Sequence, residues 1–278
     1  MKKGMELISD VDNCILHEGE AAFWWLGQQG FVLKFTGVVI YLDPFLTELP
    51  ERNVPPLLKA KEISHADFIL GSHDHGDHID RCVWPILAKS SPKAKFIVPF
   101  YLCEQLSREL LIPRDRFIGL DDGLCVKISG VKITGLAAAH EFLDRDPDTG
   151  CYKYLSYVIE TNGRTVYHAG DTCIYEGLQS KLKEWEKIDV MFLPINGRDG
   201  KRLRENCIGN MTYQEAVDLA GAVKPRLVVP AHYEMFDSNK ENPLLFGDYL
   251  GAKYPQIDYW IGEHGTRVLV KLEVINER

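Results

Sequence analysis

Four closely spaced residues of this chain have the types and spacing of a metal site. His73, His75, Asp77 and His78 follow directly on the short apolar run at residues 68–70. Residues two apart in an extended chain point the same way, so His73, His75 and Asp77 can converge. His78 can then reach in from the turn that follows. Imidazole and carboxylate groups are ligands of Zn²⁺, Mn²⁺ and Fe²⁺, and this spacing favours a divalent-metal site over a solvated histidine-rich loop.

Three more candidate ligands lie far along the chain, each at the end of a predicted strand. They are His140 after residues 131–136, Asp171 after the hairpin that ends at residue 168, and His232 after residues 226–231. Strand ends meet at the edges of α/β sheets, where such proteins place their sites. We therefore expect these three residues to join the first cluster in a single centre.

The elements that must position these residues form two β-rich groups, each followed by alternating strands and helices. Order is predicted to begin with a glycine-punctuated meander at residues 21–43. Asn162-Gly163 predicts a hairpin, a helix is expected over residues 181–187, and Thr212-x-x-Glu215 is a capping box that opens another helix. A closing strand is expected at residues 267–274. The pattern predicts one α/β (α+β) domain over residues 1–278, with two sheets packed face to face and helices outside, a four-layer αββα sandwich.

Composition narrows the class of protein. The 278 residues carry a formal net charge of -8, which argues against nucleic-acid binding. No apolar run approaches the length of a membrane span, and no apolar segment follows the two N-terminal lysines, so we expect no membrane association and a cytoplasmic location. The seven cysteines are odd in number and never form a C-x-x-C pair, which fits reduced thiols.

The order H-x-H-x-D-H, a distant histidine, Gly-Asp and a late histidine resembles the metallo-β-lactamase superfamily of binuclear hydrolases. The resemblance extends from Trp24 to His264. It implies the αββα fold of that superfamily and two divalent metal ions, manganese or zinc, with iron also possible. It assigns the ligands as follows: His73, His75 and His140 to one ion, Asp77, His78 and His232 to the other, and Asp171 to both.

Three stretches are similar to the L-ascorbate-6-phosphate lactonases, which are cytoplasmic enzymes that open a phosphorylated sugar lactone. They are residues 24–27, 73–80 and 167–171. The resemblance implies a lactonase that works by attack of a metal-bound hydroxide, and it implies a homo-oligomer. Two ions roughly 3.5–4 Å apart can share a water and lower its pKa to about 7. Asp77 is the predicted catalytic residue, which orients the nucleophile and accepts its proton.

Recognition of a small, anionic, phosphorylated substrate is assigned to the loop after the strand at residues 190–195. Arg198 supplies a guanidinium fork that suits phosphate or carboxylate, and Asn196 lies in the same loop. Two alternatives stay open. The same pair of ions supports a phosphodiesterase acting on a cyclic or linear phosphodiester, and a chain of another class would use the site as a non-catalytic, metal-binding regulatory module.

Overall fold

Two mixed β-sheets form the centre of the computed structural model, which describes residues 1–161, 163–204 and 206–271. Within these residues each sheet has seven strands. The order in the first sheet is β14-β1-β2-β3-β4-β5-β6. Its strands are β1 (Ala21–Gly27), β2 (Gly30–Phe35), β3 (Val38–Leu42), β4 (Phe68–Leu70), β5 (Lys95–Pro99), β6 (Phe117–Leu120) and β14 (Arg267–Val270). Pairing is antiparallel from β14 to β3 and parallel from β3 to β6.

The second sheet has the order β13-β12-β11-β10-β9-β8-β7 and also combines a parallel half with an antiparallel half. Its strands are β7 (Cys125–Ile128), β8 (Val131–Ala137), β9 (Leu155–Thr161), β10 (Arg164–His168), β11 (Val190–Pro194), β12 (Leu227–Ala231) and β13 (Asp258–Tyr259). The strands from β10 to β13 are parallel, and those from β7 to β10 are antiparallel. Parallel strands deliver their carboxyl ends to one edge, and the candidate ligands follow such ends except His140, which follows β8 of the antiparallel half.

Six of the seven described α-helices cover the outer faces of the two sheets, and the other, at residues 200–204, buries none of its residues. The seven are α1 (Gly4–Asp12), α2 (Trp84–Ser90), α3 (Cys103–Leu110), α4 (Leu178–Leu182), α5 (Gly200–Arg204), α6 (Tyr213–Val223) and α7 (Pro243–Lys253). Apolar residues of α1, α2 and α3 are buried in one cluster with the outer face of the first sheet. Residues of α4, α6 and α7 join the other cluster, which also contains the inner faces of both sheets. Of the described helices, none has the length and apolar character that crossing a bilayer requires.

Strand β1 shows how the two sheets come to face each other. Every residue of β1 is buried, and the side chains alternate between the two clusters: Phe23 lies in the inter-sheet core, whereas Trp24 lies under the first group of helices. Phe23 and Phe31 both contact Phe192 of the second sheet, with ring centroids 5.1 and 4.0 Å away. These aromatic contacts lock the two sheets together beneath the candidate ligands.

The sandwich predicted from the sequence is confirmed, and so is the capping box, in which the Thr212 hydroxyl accepts a hydrogen bond from the Glu215 amide. The strands of the predicted hairpin pair as Arg164 with Thr161, while its turn residue Asn162 lies outside the described residues. Residues 272–274 of the predicted closing strand also lie outside them. Two element predictions were wrong: the start of order at residue 21 and the helix at residues 181–187.

Helix α1 was missed because its apolar pattern is short. Leu7, Ile8 and Val11 form one buried stripe against the first sheet, so order begins well before residue 21. The helix predicted at residues 181–187 lies earlier, as α4. Its buried residues are Leu178 and Leu182, four apart, and this pair rather than the charged segment after it fixes the helix.

Candidate metal centre

Seven residues from both sheets converge at one end of the sandwich. Their potential ligand atoms fall into groups whose members lie within 4.8 Å of one another. The groups are His73 with His75 and His140, Asp77 with His78 and His232, and His73 with His78 and Asp171. The first two groups coincide with the two ligand sets that the sequence resemblance implies. The assignment of an ion to each group remains a prediction.

Asp171 joins the two groups through its two carboxylate oxygens. Its Oδ1 lies 3.4 Å from His78 Nε2 and 3.2 Å from His232 Nε2. Its Oδ2 lies 3.5 Å from His140 Nε2. Each oxygen therefore faces a different group, which is the arrangement that a carboxylate shared between two cations requires.

Tight backbone turns aim these side chains at the centre. Gly170 adopts φ +58° directly before Asp171, where a Cβ atom would meet the Leu155 carbonyl oxygen at 2.8 Å. The next residue, Thr172, connects this turn to the segment before His140, because its Oγ1 accepts a hydrogen bond of 3.0 Å from the Ala139 amide. This bond fixes the end of β8, and with it His140, next to Asp171.

The charges of the centre divide the histidines into two kinds. Burial lowers the pKa of His73 and His75, and neighbouring imidazolium groups lower it further. Burial also acts to lower the pKa of His78 and His232, but the Asp171 and Asp77 carboxylates outweigh it and raise both values, for His232 to about 10. In the metal-free protein at pH 7, the first pair is thus neutral and the second pair protonated.

The two aspartates show the opposite balance. Burial raises the pKa of Asp77 and Asp171, but the positive charge of His78 and His232 holds both values below the usual range. Both side chains are therefore carboxylates at neutral pH. The two carboxylates and five imidazoles of the two groups form a donor set of the kind that binds Zn²⁺, Mn²⁺ or Fe²⁺.

Buried atoms without partners test whether a cation fits here. His78 Nε2 and Asp171 Oδ1 are both buried, and neither makes a hydrogen bond to any described residue. They face each other at 3.4 Å inside the second group. Native proteins rarely leave such atoms unsatisfied, so their position supports a bound divalent ion as the missing partner. The residues present fit the implied metal centre.

An outer carboxylate that sequence reasoning missed holds His78. Asp43, at the end of β3, is fully buried, and its Oδ2 lies 2.6 Å from His78 Nδ1. Ser72 donates to the same carboxylate from its amide at 2.8 Å and from its hydroxyl at 2.7 Å. A carboxylate behind a ligating imidazole fixes the ring and raises its basicity. The available signal was an aspartate at the end of a buried strand that neighbours β4.

Gln28 was also missed. It lies in the turn between β1 and β2 with φ +52°, and its Nε2 donates a hydrogen bond of 2.8 Å to Asp77 Oδ2. The same nitrogen lies 3.2 Å from His232 Nε2. The turn itself is anchored by Glu234, which accepts a bond of 2.8 Å from the Gln28 amide. Gln28 and Asp77 meet only in the folded protein. The sequence shows two adjacent glutamines between glycines, a pattern that gives no sign of a contact with Asp77.

The two residues predicted to bind substrate have other partners in the structure. Arg198 forms a fork with Glu215, with hydrogen bonds of 2.7 and 2.6 Å, and donates a third bond to the Asn210 carbonyl oxygen. Asn196 is buried and hydrogen-bonds to the side chains of Asn210 and Asn239. Arg198 lines a cavity beside the centre, whereas Asn196 lies behind His232.

Two cavities flank the centre. One of about 430 Å³ begins at Glu141 and Cys173, which follow two candidate ligands closely in sequence, and includes Arg198 and the apolar side chains Phe142 and Leu203. The other, of about 420 Å³, includes Asp77 and is lined mainly by apolar residues. Those residues are Phe45, Leu49, Ile79 and Phe236. Both volumes are within the range of small-molecule sites.

The chain is similar to several known proteins. Residues 39–233 match the family described as the beta-lactamase superfamily domain. A protein of Thermococcus onnurineus named as a UPF0173 metal-dependent hydrolase is 32% identical over 216 residues, which cover 77% of this chain and 85% of that protein. One of the same name from Sulfurisphaera tokodaii is 29% identical over 219 residues, 79% of this chain and 87% of that one. A solved structure with the same fold is that of Igni18, described as a novel metallo hydrolase from Ignicoccus hospitalis. It matches with a TM-score of 0.73 at 23% identity, and the match covers 91% of this chain and 100% of that chain.

Proposed function

We propose a lactonase function from one premise: the chain belongs to the beta-lactamase superfamily and is a metal-dependent hydrolase. The observation that carries the proposal is the pair of ligand groups joined by the two oxygens of Asp171. One group, His73, His75 and His140, would hold the first ion. The other, Asp77, His78 and His232, would hold the second. When bound, two such ions lower the pKa of a shared water and polarise the carbonyl or phosphoryl oxygen of a substrate.

The residues of the chain divide the remaining work. Asp77 is a carboxylate at neutral pH, and its Oδ2 accepts the hydrogen bond from Gln28. Among the described residues, none donates a hydrogen bond to its Oδ1, which can therefore accept a proton or orient an incoming water. Tyr154 stacks against His140, with ring centroids 5.2 Å apart, and closes one wall of the centre.

The charge of the cavity lined by Arg198 favours a neutral reacting group. Arg198 is paired with Glu215, and Asp199 is paired with Arg202. Glu141 adds a carboxylate to the lining. This lining offers no surplus positive charge among the described residues, so an anionic group gains little from it as long as Arg198 stays paired with Glu215. An ester or lactone carries no charge at the bond that breaks, which supports the lactonase over the phosphodiesterase.

The phosphorylated sugar lactone remains the proposed substrate in its finer form, and Arg198 is the residue on which it depends. A phosphate on the far side of the substrate would have to replace Glu215 as the partner of this guanidinium. Arg198 is suited to this exchange because a guanidinium fork binds phosphate and carboxylate with the same two-point geometry. A small anionic substrate is thus compatible with the cavity if Glu215 moves aside.

The test is a substrate panel with protein reconstituted with Mn²⁺ or Zn²⁺. The panel contains a sugar-acid lactone, the same lactone with a phosphate ester, and an aryl phosphodiester. Opening of the lactones without cleavage of the phosphodiester supports the proposal, and the reverse result replaces it with a phosphodiesterase. Binding of two metal equivalents without turnover of any class would favour the non-catalytic module. Loss of the preference for the phosphorylated lactone in Arg198→Ala would support the phosphate contact.

A further inference from the structure

The cavity that contains Asp77 (the Asp77 cavity) has an apolar lining in which most polar side chains already have partners. Asp80 is buried and accepts hydrogen bonds of 2.8 and 2.6 Å from the Thr47 amide and hydroxyl. Arg81 is paired with two carboxylates, at 2.5 and 3.1 Å. The Cys82 thiol, which is exposed, is only a weak hydrogen-bonding group. A hydroxylated or anionic group therefore gains little from this lining, whereas an apolar group gains contact with its carbon atoms.

The walls of this cavity are held in place by the protein itself. Arg52 donates a hydrogen bond of 3.1 Å to the Phe45 carbonyl oxygen, and its guanidinium carbon lies 4.4 Å from the centre of the Phe45 ring. Asn53 ties the same loop to the segment of Phe236, because its amide donates to the Met235 carbonyl oxygen at 2.8 Å. A pocket that is already formed loses little free energy to ordering when a ligand binds.

The size and position of the Asp77 cavity favour part of a substrate as its occupant. Its volume of about 420 Å³ accommodates a small-molecule group. Asp77, the predicted catalytic residue, is part of the wall, so a group in the cavity lies beside the reacting bond. The other cavity at the centre contains Arg198, the residue proposed to contact a phosphate. A substrate that spans the centre would present one end to Arg198 and the other end to the apolar wall.

We propose that the Asp77 cavity is a specificity site for a hydrocarbon substituent of the substrate, and that Leu49 and Phe236 contact this substituent. The inference rests on the proposed lactonase function and deepens it, because it adds a hydrocarbon group to the class of lactone. A phosphate would face Arg198, and the hydrocarbon would lie beside Asp77. A sugar lactone without such a group should be a poorer substrate than one that carries it.

The test is binding of 3-alkylcyclopentanones to the full-length protein, measured by calorimetric titration. In these ketones a carbon atom replaces the ring oxygen of an alkyl lactone, so they cannot be hydrolysed. From methyl to pentyl, the dissociation constant should fall about threefold to fourfold for each added methylene, the gain expected when one CH₂ group is buried. The same dependence on chain length should appear in metal-free and in Zn²⁺-loaded protein, because the apolar walls are present in both.

Leu49→Gln tests the site at a position where folding tolerates the change, since Leu49 is 41% exposed. It should weaken binding of the pentyl ketone by about tenfold, which corresponds to the loss of roughly two buried methylenes, and leave binding of the methyl ketone unchanged. Phe236→Gln should have the same effect. Leu124→Gln is the matched control, because Leu124 is exposed and is not part of either cavity wall, and it should bind both ketones like the wild type.

Initial rates with Zn²⁺-loaded protein connect the site to the reaction. Butyrolactones that carry an alkyl chain, either next to the carbonyl carbon or on the carbon that bears the ring oxygen, should be opened with a kcat/KM that rises with chain length in at least one of the two series. Leu49→Gln should remove most of this rise, and Leu124→Gln should preserve it.

The outcomes separate the hydrocarbon site from the lactonase function. Binding that does not depend on chain length refutes the site, and so does wild-type binding of the pentyl ketone by both Leu49→Gln and Phe236→Gln. Equal weakening in Leu124→Gln would also refute it. If Leu49→Gln converts an oligomer into a monomer in sedimentation and leaves ketone binding unchanged, a second copy of the chain covers the cavity and the proposal is wrong. Dependence of binding on chain length without opening of any lactone would overturn the lactonase function and still support the hydrocarbon site.

Discussion

Replacement of Asp43 by asparagine tests how much the centre depends on its outer carboxylate. Asp43 accepts hydrogen bonds from His78 Nδ1, from the Ser72 amide and from the Ser72 hydroxyl, and it is fully buried. Its backbone has φ +40°, a conformation that asparagine tolerates, so the change leaves the turn unstrained. The substitution thus removes the charge and one acceptor while preserving shape.

The expected loss has two parts. Both oxygens of Asp43 face N–H or O–H donors, so either orientation of the new amide sets its nitrogen against a donor. A buried group left unsatisfied in this way costs about 1–3 kcal/mol of the free energy of unfolding. Loss of a carboxylate behind a ligating histidine lowers metal affinity by about 10–100-fold, or roughly 1.4–2.8 kcal/mol. The 2.6 Å contact with His78 and the complete burial favour the upper end of that range.

Urea unfolding of the metal-free protein and calorimetric titration with Zn²⁺ measure the two parts separately. Asp67→Asn is the control, because the Asp67 carboxylate accepts a bond of 2.8 Å from the Val39 amide at the opposite end of β3, away from the ligands. It should cost stability and leave Zn²⁺ affinity unchanged. If Asp43→Asn loses stability but binds Zn²⁺ as tightly as the wild type, Asp43 does not support His78 as a ligand, and the reasoning is wrong.

Three further predictions concern the centre directly. Because the pKa of His78 and of His232 is raised in the metal-free protein, binding of metal ions at pH 7 should release about two protons, and metal affinity should increase as the pH rises. Calorimetry in buffers of different ionisation enthalpy measures the number of protons released. A titration that releases no protons would contradict the charge assignment. Asp171→Asn should reduce Zn²⁺ affinity in both groups to below about 1% of wild type, as counted by metal analysis after dialysis; retention of one full-affinity equivalent would show that Asp171 is not shared. Gly170→Ala should cost about 1–3 kcal/mol of the free energy of unfolding, because alanine is strained at φ +58° and its Cβ would meet the Leu155 oxygen. The loop must then shift, which should also weaken metal binding. Urea unfolding that the substitution leaves unchanged would refute this.

The strands and the convergence of the inner residues could be predicted because both depend on local patterns in the sequence. The run before His73 has the apolar pattern of a buried strand, and His140, Asp171 and His232 each follow such a run. The αββα sandwich followed from the order of strand groups and from the family resemblance. These features depend on periodicity and on position along the chain, which a single sequence displays.

The outer residues could not be predicted because their roles arise from tertiary contacts. Gln28, in the turn between β1 and β2, reaches Asp77 in the loop after β4, and Asn239 reaches His232 from a loop after β12. The pairing of Arg198 with Glu215 requires that the start of α6 pack beneath the cavity loop. A polar residue in a turn has the same local pattern whether or not another element lies against it.

The division of the ligands between the sheets gives the centre a mechanical role. His73 and His78 leave the first sheet, and Asp171 and His232 leave the second, so a cation held between them would act as a cross-link that closes a long loop of chain. Such a link lowers the conformational entropy of the unfolded chain only while the ligand that comes last in the sequence is bound to the cation. His232 lies late in the sequence, so a chain emerging from the ribosome could not close the link until both sheets were largely synthesised. Resistance of the sandwich to forced separation should therefore be acquired at the end of folding.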